Sequence, residues 1–115
     1  MNLPDKVNEY LKHIVRCIKD TMPVTAIYLF GSYAIGNYHE DSDLDIYIVT
    51  PDKSKSPIEY KRELGFAIGF PKMYPLDLIV GYEDDFERLS KQLNFVENEV
   101  LEFGRLLYAK KEYME

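Results

Sequence analysis

The spacing of apolar residues changes along this chain, and the changes predict an alternation of helices and strands. Over residues 4–20 the apolar positions recur every three or four residues, which is the period of one helix face. Residues 24–30 form a short β-branched and aromatic run, and in residues 43–49 and 75–80 apolar side chains alternate with others. These three runs are typical of strands that pack against a core.

Helix signals also lie between and after these strands. A helix is predicted over residues 57–68, because Ser56 and Pro57 form a start signal and Gly69 follows as a stop. Further elements are predicted as helices over 83–92 and 94–103 and a short strand over 106–108. The inward positions predicted for the second of these helices are Phe95, Val96, Val100 and Leu101. The alternation indicates an α/β or α+β layer, and the connection lengths leave the strand directions open.

The composition indicates one small acidic domain, spanning residues 1–115. The net charge of −6 argues against a protein that binds extended nucleic acid through a broad basic surface. No apolar run approaches the roughly 20 residues that span a bilayer. The amino terminus lacks a secretory signal pattern, and a lone Cys17 excludes an internal disulfide, so a reducing cytoplasm is the expected location.

Three carboxylates stand out on the predicted strands. Asp43 and Asp45 lie two residues apart, so both side chains leave the same face of their strand. Two carboxylates this close raise each other's pKa unless a cation lies between them. Asp77, within the apolar run of a separate strand, is costly to bury without a partner. Oxygen ligands of this kind, completed by water and substrate phosphates, suit Mg²⁺.

A glycine and a serine follow the first predicted strand. Gly31 permits unusual dihedrals and a close backbone approach, and Ser32 offers a hydroxyl and an N–H group, a combination that suits the phosphates of a nucleoside triphosphate. An ordinary strand-to-helix turn is the alternative for this pair. For Asp43 and Asp45 the alternative is a turn residue followed by an exposed edge-strand carboxylate. The presence of all five residues together favours a nucleotide and metal site.

With these residues in place, the chain resembles the minimal nucleotidyltransferases of the DNA polymerase β superfamily. That family is marked by a strand, Gly-Ser, about ten further residues, Asp-x-Asp on the next strand, and a third carboxylate on a later strand. The matching residues here are Gly31, Ser32, Asp43, Asp45 and Asp77. The resemblance implies a nucleotidyltransferase fold, an α+β domain in which a small mixed sheet of three or four strands is covered by four or so helices.

The resemblance also implies a chemistry. Asp43, Asp45 and Asp77 would bind Mg²⁺, two ions in all, with Asp77 sharing the ion nearer the acceptor and assisting deprotonation of the acceptor hydroxyl. The hydroxyl would attack the α-phosphate of ATP or another nucleoside triphosphate in line, and pyrophosphate would leave. Gly31 and Ser32 would hold the leaving phosphates.

One residue departs from the family pattern. Many small members carry arginine between the alanine and the second glycine of the G-S-x-A-x-G segment, where this chain has Ile35. The departure implies weaker phosphate binding. Four basic residues could replace this arginine: Lys53, Lys61, Arg62 and Lys72. The alternative is that they are ordinary surface charges.

Three functions follow from these observations. The first is Mg²⁺-dependent transfer of a nucleoside monophosphate, AMP from ATP, to a hydroxyl of a protein or small molecule. For this function the resemblance implies a helical HEPN-type protein partner, with the chain as the antitoxin half of a toxin–antitoxin pair, or else a homo-oligomer. The second, motivated by Ile35, is a protein that neutralises a helical partner by contact. The third is a nucleotide sensor without transfer.

Overall fold

The computed structural model describes residues 3–69 and 73–114, apart from the side chain of Met114. Helices and strands alternate, as the apolar pattern predicts. In chain order the elements are α1 (Asp5–Thr21), β1 (Ala26–Phe30), α2 (Ser32–Ile35), β2 (Leu44–Thr50), α3 (Pro57–Ile68), β3 (Leu76–Tyr82), α4 (Glu83–Leu89), α5 (Val96–Phe103), β4 (Arg105–Ala109) and a final 3-10 helix (Lys111–Met114). The predicted α+β class is confirmed, and α2 is the helix beyond the expected four.

The four strands form one mixed sheet in the order β3-β2-β1-β4. β1 is antiparallel to both β2 and β4, whereas β2 and β3 are parallel. The parallel pair is joined by α3, because a parallel connection must return the chain to the same end of the sheet. Strand directions, which connection lengths leave open, thus follow from the crossover helix.

α1 and α3 cover one face of the sheet and enclose the larger core. α1 buries one stripe of apolar side chains, which includes Ile14 and Ile18 with no exposed surface. α3 begins where predicted: the Ser56 hydroxyl accepts from the Glu59 N–H at 3.2 Å, and the Ser56 N–H donates to Glu59 Oε1 at 3.0 Å. This reciprocal capping satisfies two backbone groups that the first helical turn leaves unpaired.

α4 and α5 lie against the other face, where the core is smaller and more polar. Its buried apolar residues are Ala26, Tyr28, Phe30, Tyr47, Val49, Phe86 and Val100. Tyr47 and Phe86 pack with ring centroids 5.2 Å apart. The buried Glu97 also faces this core, where it meets the Tyr47 hydroxyl.

The inward face predicted for residues 94–103 is wrong at three of its four positions. Phe95, Val96 and Leu101 are exposed, and Val100 alone is fully buried. The helix presents Glu97 to the core instead, because Glu97 lies one turn before Val100 on the same helix face and finds a hydrogen-bond donor there. A buried carboxylate at such a position gives no apolar signal in the sequence.

Element ends differ from the predictions by one to three residues. The strand predicted over 43–49 runs from Leu44 to Thr50, so Asp43 precedes it, and the helix predicted over 83–92 ends at Leu89. Lys72 lies outside the described residues. In the described part of the chain, no helix combines the length and the apolarity needed to cross a membrane.

Candidate functional site

The site begins at the turn between β1 and α2. Gly31 has φ +74°, in the region that favours glycine. Its carbonyl accepts the Ala34 N–H at 3.1 Å and so closes the first turn of α2. Ser32 is the first residue of that helix. The chain therefore reverses sharply at the end of a buried strand, which places this turn at the edge of the sheet.

Gly31 lies directly against the Asp45 carboxylate. A Cβ atom built on Gly31 would stand 2.2 Å from Asp45 Oδ2, well inside any contact that atoms tolerate. Phe30, the residue before the glycine, pairs with Asp45 across the antiparallel strands, which explains this approach. Glycine is thus required twice at position 31, by its backbone angle and by the carboxylate beside it.

Asp77 joins Asp45 through the parallel strand register. The two residues are Cα partners in the β2–β3 ladder, so their side chains leave the same face of the sheet on neighbouring strands. Asp43 stands just before β2 and is exposed, as is Asp77, whereas Asp45 is partly buried. The residues predicted from the sequence, Gly31, Asp43, Asp45 and Asp77, therefore gather at one end of the sheet.

The environment of Asp45 disfavours the ionised form of its carboxyl group. The pKa of Asp45 is raised from its ordinary 3.8 to about 6, first by burial and then by the charges of Asp77, Asp43 and Glu99, in that order of size. Glu99 belongs to α5 and was not a predicted site residue. A carboxyl group that disfavours its own ionisation in this way gains from a cation placed beside it.

The donor set fits a hard divalent cation such as Mg²⁺. Every candidate ligand is a carboxylate oxygen, the kind of donor that Mg²⁺ takes. Across residues 3–69 and 73–114, no group of three or more histidine, cysteine, aspartate or glutamate side chains is arranged to hold a metal ion by itself. Mg²⁺ commonly keeps several waters and completes its shell with substrate phosphates, so an open carboxylate set is compatible with it.

A pocket of about 490 Å³ opens beside these carboxylates, between α2 and α5. Its lining residues are Gly31, Ser32, Ile35, Asn37, Glu99 and Phe103. Ile35 and Phe103 are 53% and 62% exposed, so two apolar side chains flank the turn. The pocket therefore combines the Gly-Ser turn, an acidic group and an apolar wall.

Basic side chains are absent from the residues that line this pocket in the described part of the chain. Lys53 instead pairs with Asp84 at 2.6 Å, and Lys61 and Arg62 lie exposed on α3. The half-buried Arg105 of β4 does reach α2, where its Nε donates to the Ala34 carbonyl at 3.2 Å. Arg105 is thus a cation beside the residue that precedes Ile35.

Sequence reasoning missed Glu99, Phe103 and Arg105. Each comes from the segment after residue 95, far along the chain from the Gly-Ser turn, and reaches the site only because α5 and β4 pack beside β1. No local pattern in the sequence assigns this glutamate, phenylalanine and arginine to the site. Their positions follow from the topology alone.

The chain is similar to several known proteins. Residues 11–112 match the family model of the nucleotidyltransferase domain. The chain is 35% identical over 101 residues to the "Putative protein adenylyltransferase MJ0604" of Methanocaldococcus jannaschii, with 85% of this chain and 94% of that protein covered. It spans between 17% and 50% of the length of three further relatives, among them the ATP synthase subunit alpha of Desulfotalea psychrophila, to which 86 residues are 30% identical.

Solved structures share the fold. A crystal structure of a toxin–antitoxin with AMP-PNP superposes with a TM-score of 0.59 at 25% identity, covering 88% of this chain and 74% of that one. A "putative nucleotidyltransferase" from Sulfolobus solfataricus gives a TM-score of 0.60 at 19% identity, with 97% and 95% covered, and this likeness concerns the fold alone. The match over residues 11–112 and the similarity to the Methanocaldococcus protein together show that the chain belongs to the nucleotidyltransferase domain family.

Proposed function

We propose that this protein is a Mg²⁺-dependent nucleotidyltransferase that moves AMP from ATP to a hydroxyl of a protein or small-molecule acceptor. The observation that carries the proposal is the contact of Gly31 with Asp45, which is itself in register with Asp77. It brings a turn suited to phosphates within reach of paired carboxylates. The adjoining pocket leaves room for the rest of a nucleotide.

Each part of the site has a role in this reaction. Gly31 and Ser32 hold the phosphates that leave, because the glycine lets the backbone approach closely and the serine adds a hydroxyl donor. Asp43, Asp45 and Asp77 would hold Mg²⁺, which when bound offsets charge on the phosphates and lowers the pKa of the acceptor hydroxyl. Asp77 is exposed, which supports a role in meeting an acceptor that arrives from solvent.

Transfer forms one bond at the α-phosphorus and breaks another. The acceptor oxygen forms a bond to the α-phosphorus, and the bond from that phosphorus to the bridging oxygen of the β-phosphate breaks. The electron pair of the broken bond leaves with pyrophosphate, and the acceptor proton passes to the Asp77 carboxylate. The rate comes mainly from positioning and from compensation of charge, since phosphoryl transfer asks little covalent chemistry of the protein.

The names of the relatives support the choice of AMP and of a protein acceptor. The Methanocaldococcus relative is named for protein adenylyltransfer, and the toxin–antitoxin structure was determined with AMP-PNP, an ATP analogue. A Shewanella oneidensis protein named "Protein adenylyltransferase MntA" is 42% identical over 40 residues. On this basis we propose that the chain belongs to a toxin–antitoxin pair. That the partner and acceptor is a helical HEPN-type protein is what the family resemblance implies.

A second function is favoured by the apolar wall of the pocket. Ile35 stands where the family pattern implies arginine, and no lysine or arginine is among the described residues that line the pocket. A protein with a weakened phosphate site would neutralise its partner by contact and not by transfer. This alternative predicts a complex that needs neither nucleotide nor Mg²⁺.

Incubation with α-labelled ATP and Mg²⁺, alone and with proteins that co-purify from the native host, separates the two functions. Label on a protein or small molecule that disappears in Asp43→Asn and after chelation supports transfer. Asp20→Asn, an exposed aspartate on α1, is the matched control and should keep full labelling. A tight complex that forms without nucleotide and never becomes labelled would replace transfer with contact inhibition.

A further inference from the structure

Beneath the candidate site lies a buried polar pair that the proposed reaction does not use. The Tyr47 hydroxyl donates to Glu97 Oε2 at 2.7 Å, and the two residues are only 1% and 9% exposed. Tyr47 belongs to β2 and Glu97 to α5. This hydrogen bond therefore ties a central strand of the sheet to the helix that covers it.

The pair lies next to the site on both elements. Tyr47 follows Asp45 by two residues on β2, so the two side chains share a face. On α5, Glu97 precedes Glu99 by two residues, and Glu99 and Phe103 line the pocket beside Gly31. A displacement of α5 relative to Tyr47 would accordingly displace the pocket wall relative to Asp45.

The fold makes room for this hydrogen bond. A Cβ atom on Gly81 would stand 2.1 Å from the Tyr47 hydroxyl, so only glycine at this point of β3 leaves the hydroxyl where it is. Gly81 has no positive φ, so its backbone angle does not account for it. The glycine and the buried carboxylate are both explained by the position of one hydroxyl group.

Packing alone would hold α5 less specifically. Val100 is the one apolar side chain of α5 that is fully buried, whereas Val96, Leu101 and Phe103 are exposed. A single apolar anchor tolerates sliding and rotation, because apolar contact has no direction. A buried hydrogen bond is directional and costs much to break, so it fixes one arrangement.

We infer that Tyr47 and Glu97 are positioning residues that hold α5 in register over the sheet, so that Glu99 and Phe103 form the wall of the nucleotide pocket. The inference rests on the proposed function for the identity of the ligand, a nucleoside triphosphate. The position of α5 itself is independent of that ligand. Neither residue touches the reacting atoms.

The first test follows α5 without any nucleotide. Tyr47→Phe removes the hydroxyl and should speed amide hydrogen exchange across Val96–Phe103. Tyr28→Phe is the matched control, since it removes a comparable hydroxyl that bonds Tyr113 at 2.8 Å. If exchange in α5 responds equally to both variants, the bond does not hold α5 and the inference is wrong.

The second test separates position from stability. Tyr47→Phe should weaken binding of MgATP by roughly 10–100-fold, whereas Glu97→Gln, which keeps an acceptor oxygen, should bind as the parent does. The double variant Tyr47→Phe with Glu97→Leu leaves no unpaired polar group, so it should regain resistance to denaturant. It should not regain MgATP affinity, and recovery of both properties would reduce the pair to a stabilising contact.

The two ideas fail in different ways. A parent protein that binds no MgATP but whose α5 loosens in Tyr47→Phe would contradict the proposed function and support the hold on α5. A parent that binds MgATP while Tyr47→Phe binds it equally well would overturn the positioning role and leave the proposed function intact. Gly81→Ala, which pushes on the Tyr47 hydroxyl, should reproduce the effect of Tyr47→Phe.

Discussion

The two faces of the sheet differ in the polarity of the side chains that they bury. The face covered by α1 and α3 is closed by apolar side chains, among them Ile14, Ile18 and Leu64, none of which has exposed surface. The face covered by α4 and α5 carries polar side chains along its whole length. Its polar side chains are Thr25, Tyr28, Asp45, Tyr47, Glu83 and Glu97.

Most polar side chains on the second face have a hydrogen-bond partner, and the exception is Asp45 in the candidate site. Thr25 donates to Glu83, and Tyr28 bonds Tyr113. Asp45 instead faces further carboxylates, which raise its pKa. The comparison shows that the face under α1 and α3 stabilises the fold by apolar burial. The face under α4 and α5 brings carboxylates together, which lowers stability. Asymmetry of this kind is expected where strain or repulsion is kept for function.

The largest expected effect comes from neutralising the Asp45 carboxylate. Asp45→Asn should lower the rate of AMP transfer by about 10³-fold or more, because it removes an oxygen ligand at the centre of the developing charge. Labelling with α-labelled ATP under single-turnover conditions measures this. Transfer that persists at the parent rate would show that the carboxylate cluster is not the reaction centre.

Removing a core side chain from the other face should act on stability instead. Leu64→Ala should lower the free energy of unfolding by about 2–5 kcal/mol, through lost burial and the cavity left behind. Urea denaturation followed by circular dichroism gives the value. Transfer by the folded fraction should be unchanged at low temperature, and a specific loss of transfer would show that the two faces are coupled.

The burial of Asp45 and the repulsion from its neighbouring carboxylates should appear as a pH dependence of stability in metal-free protein. Its pKa is raised from 3.8 to about 6, so the folded state resists ionisation and is penalised above pH 6. The penalty disappears as the pH falls through about 6 towards 3.8, because the folded state then binds the proton more tightly than the unfolded chain.

Asp45→Asn should therefore be more stable than the parent at pH 8 by on the order of 1–2 kcal/mol, a value reduced for partial exposure to solvent. The gap should close near pH 4, and saturating Mg²⁺ should narrow it at pH 8 by binding the parent alone. Urea titrations across this pH range measure the gap. A constant difference at all pH values would assign it to packing.

The smallest effect expected concerns the apolar wall. Ile35→Arg introduces the cation that the family pattern implies at this position and should tighten MgATP binding by about three- to tenfold, through charge-assisted contacts with phosphate. Calorimetric titration at two salt concentrations tests this, since an electrostatic gain should shrink with salt. Ile35→Lys is a control for charge without a bidentate fork. Weaker binding in both variants would show that the wall contacts an apolar part of the ligand.

The sequence predicted well those elements and motifs whose signals lie within a few neighbouring residues. α1 and α3 show a strong helical period or a clear capping signal, and the Gly-Ser and Asp-x-Asp segments each occupy a few adjacent residues. Gly31 and Asp45 do meet, and Asp77 does join them in register. These residues were found because their side-chain types are unusual at the ends of apolar strands.

What the sequence could not predict depends on contacts between distant segments. The inward face of α5 was wrong because Glu97 is buried by its bond to Tyr47, and carboxylates ordinarily indicate exposure. Glu99 and Arg105 were overlooked because their nearness to the Gly-Ser turn arises only once β4 pairs with β1. No local pattern encodes a partner that lies 50 or more residues away along the chain.

The strand order has a consequence for synthesis of the protein on the ribosome. β1 is flanked by β2 and by β4, so the sheet lacks one neighbour of its central strand until Arg105–Ala109 emerges. The wall of the pocket, Glu99 and Phe103, emerges only shortly before. At roughly 5–20 residues per second, a nascent chain would carry its Asp-x-Asp segment for several seconds before it could bind a nucleotide. Competence to bind would then mark a chain translated at least as far as its last strand.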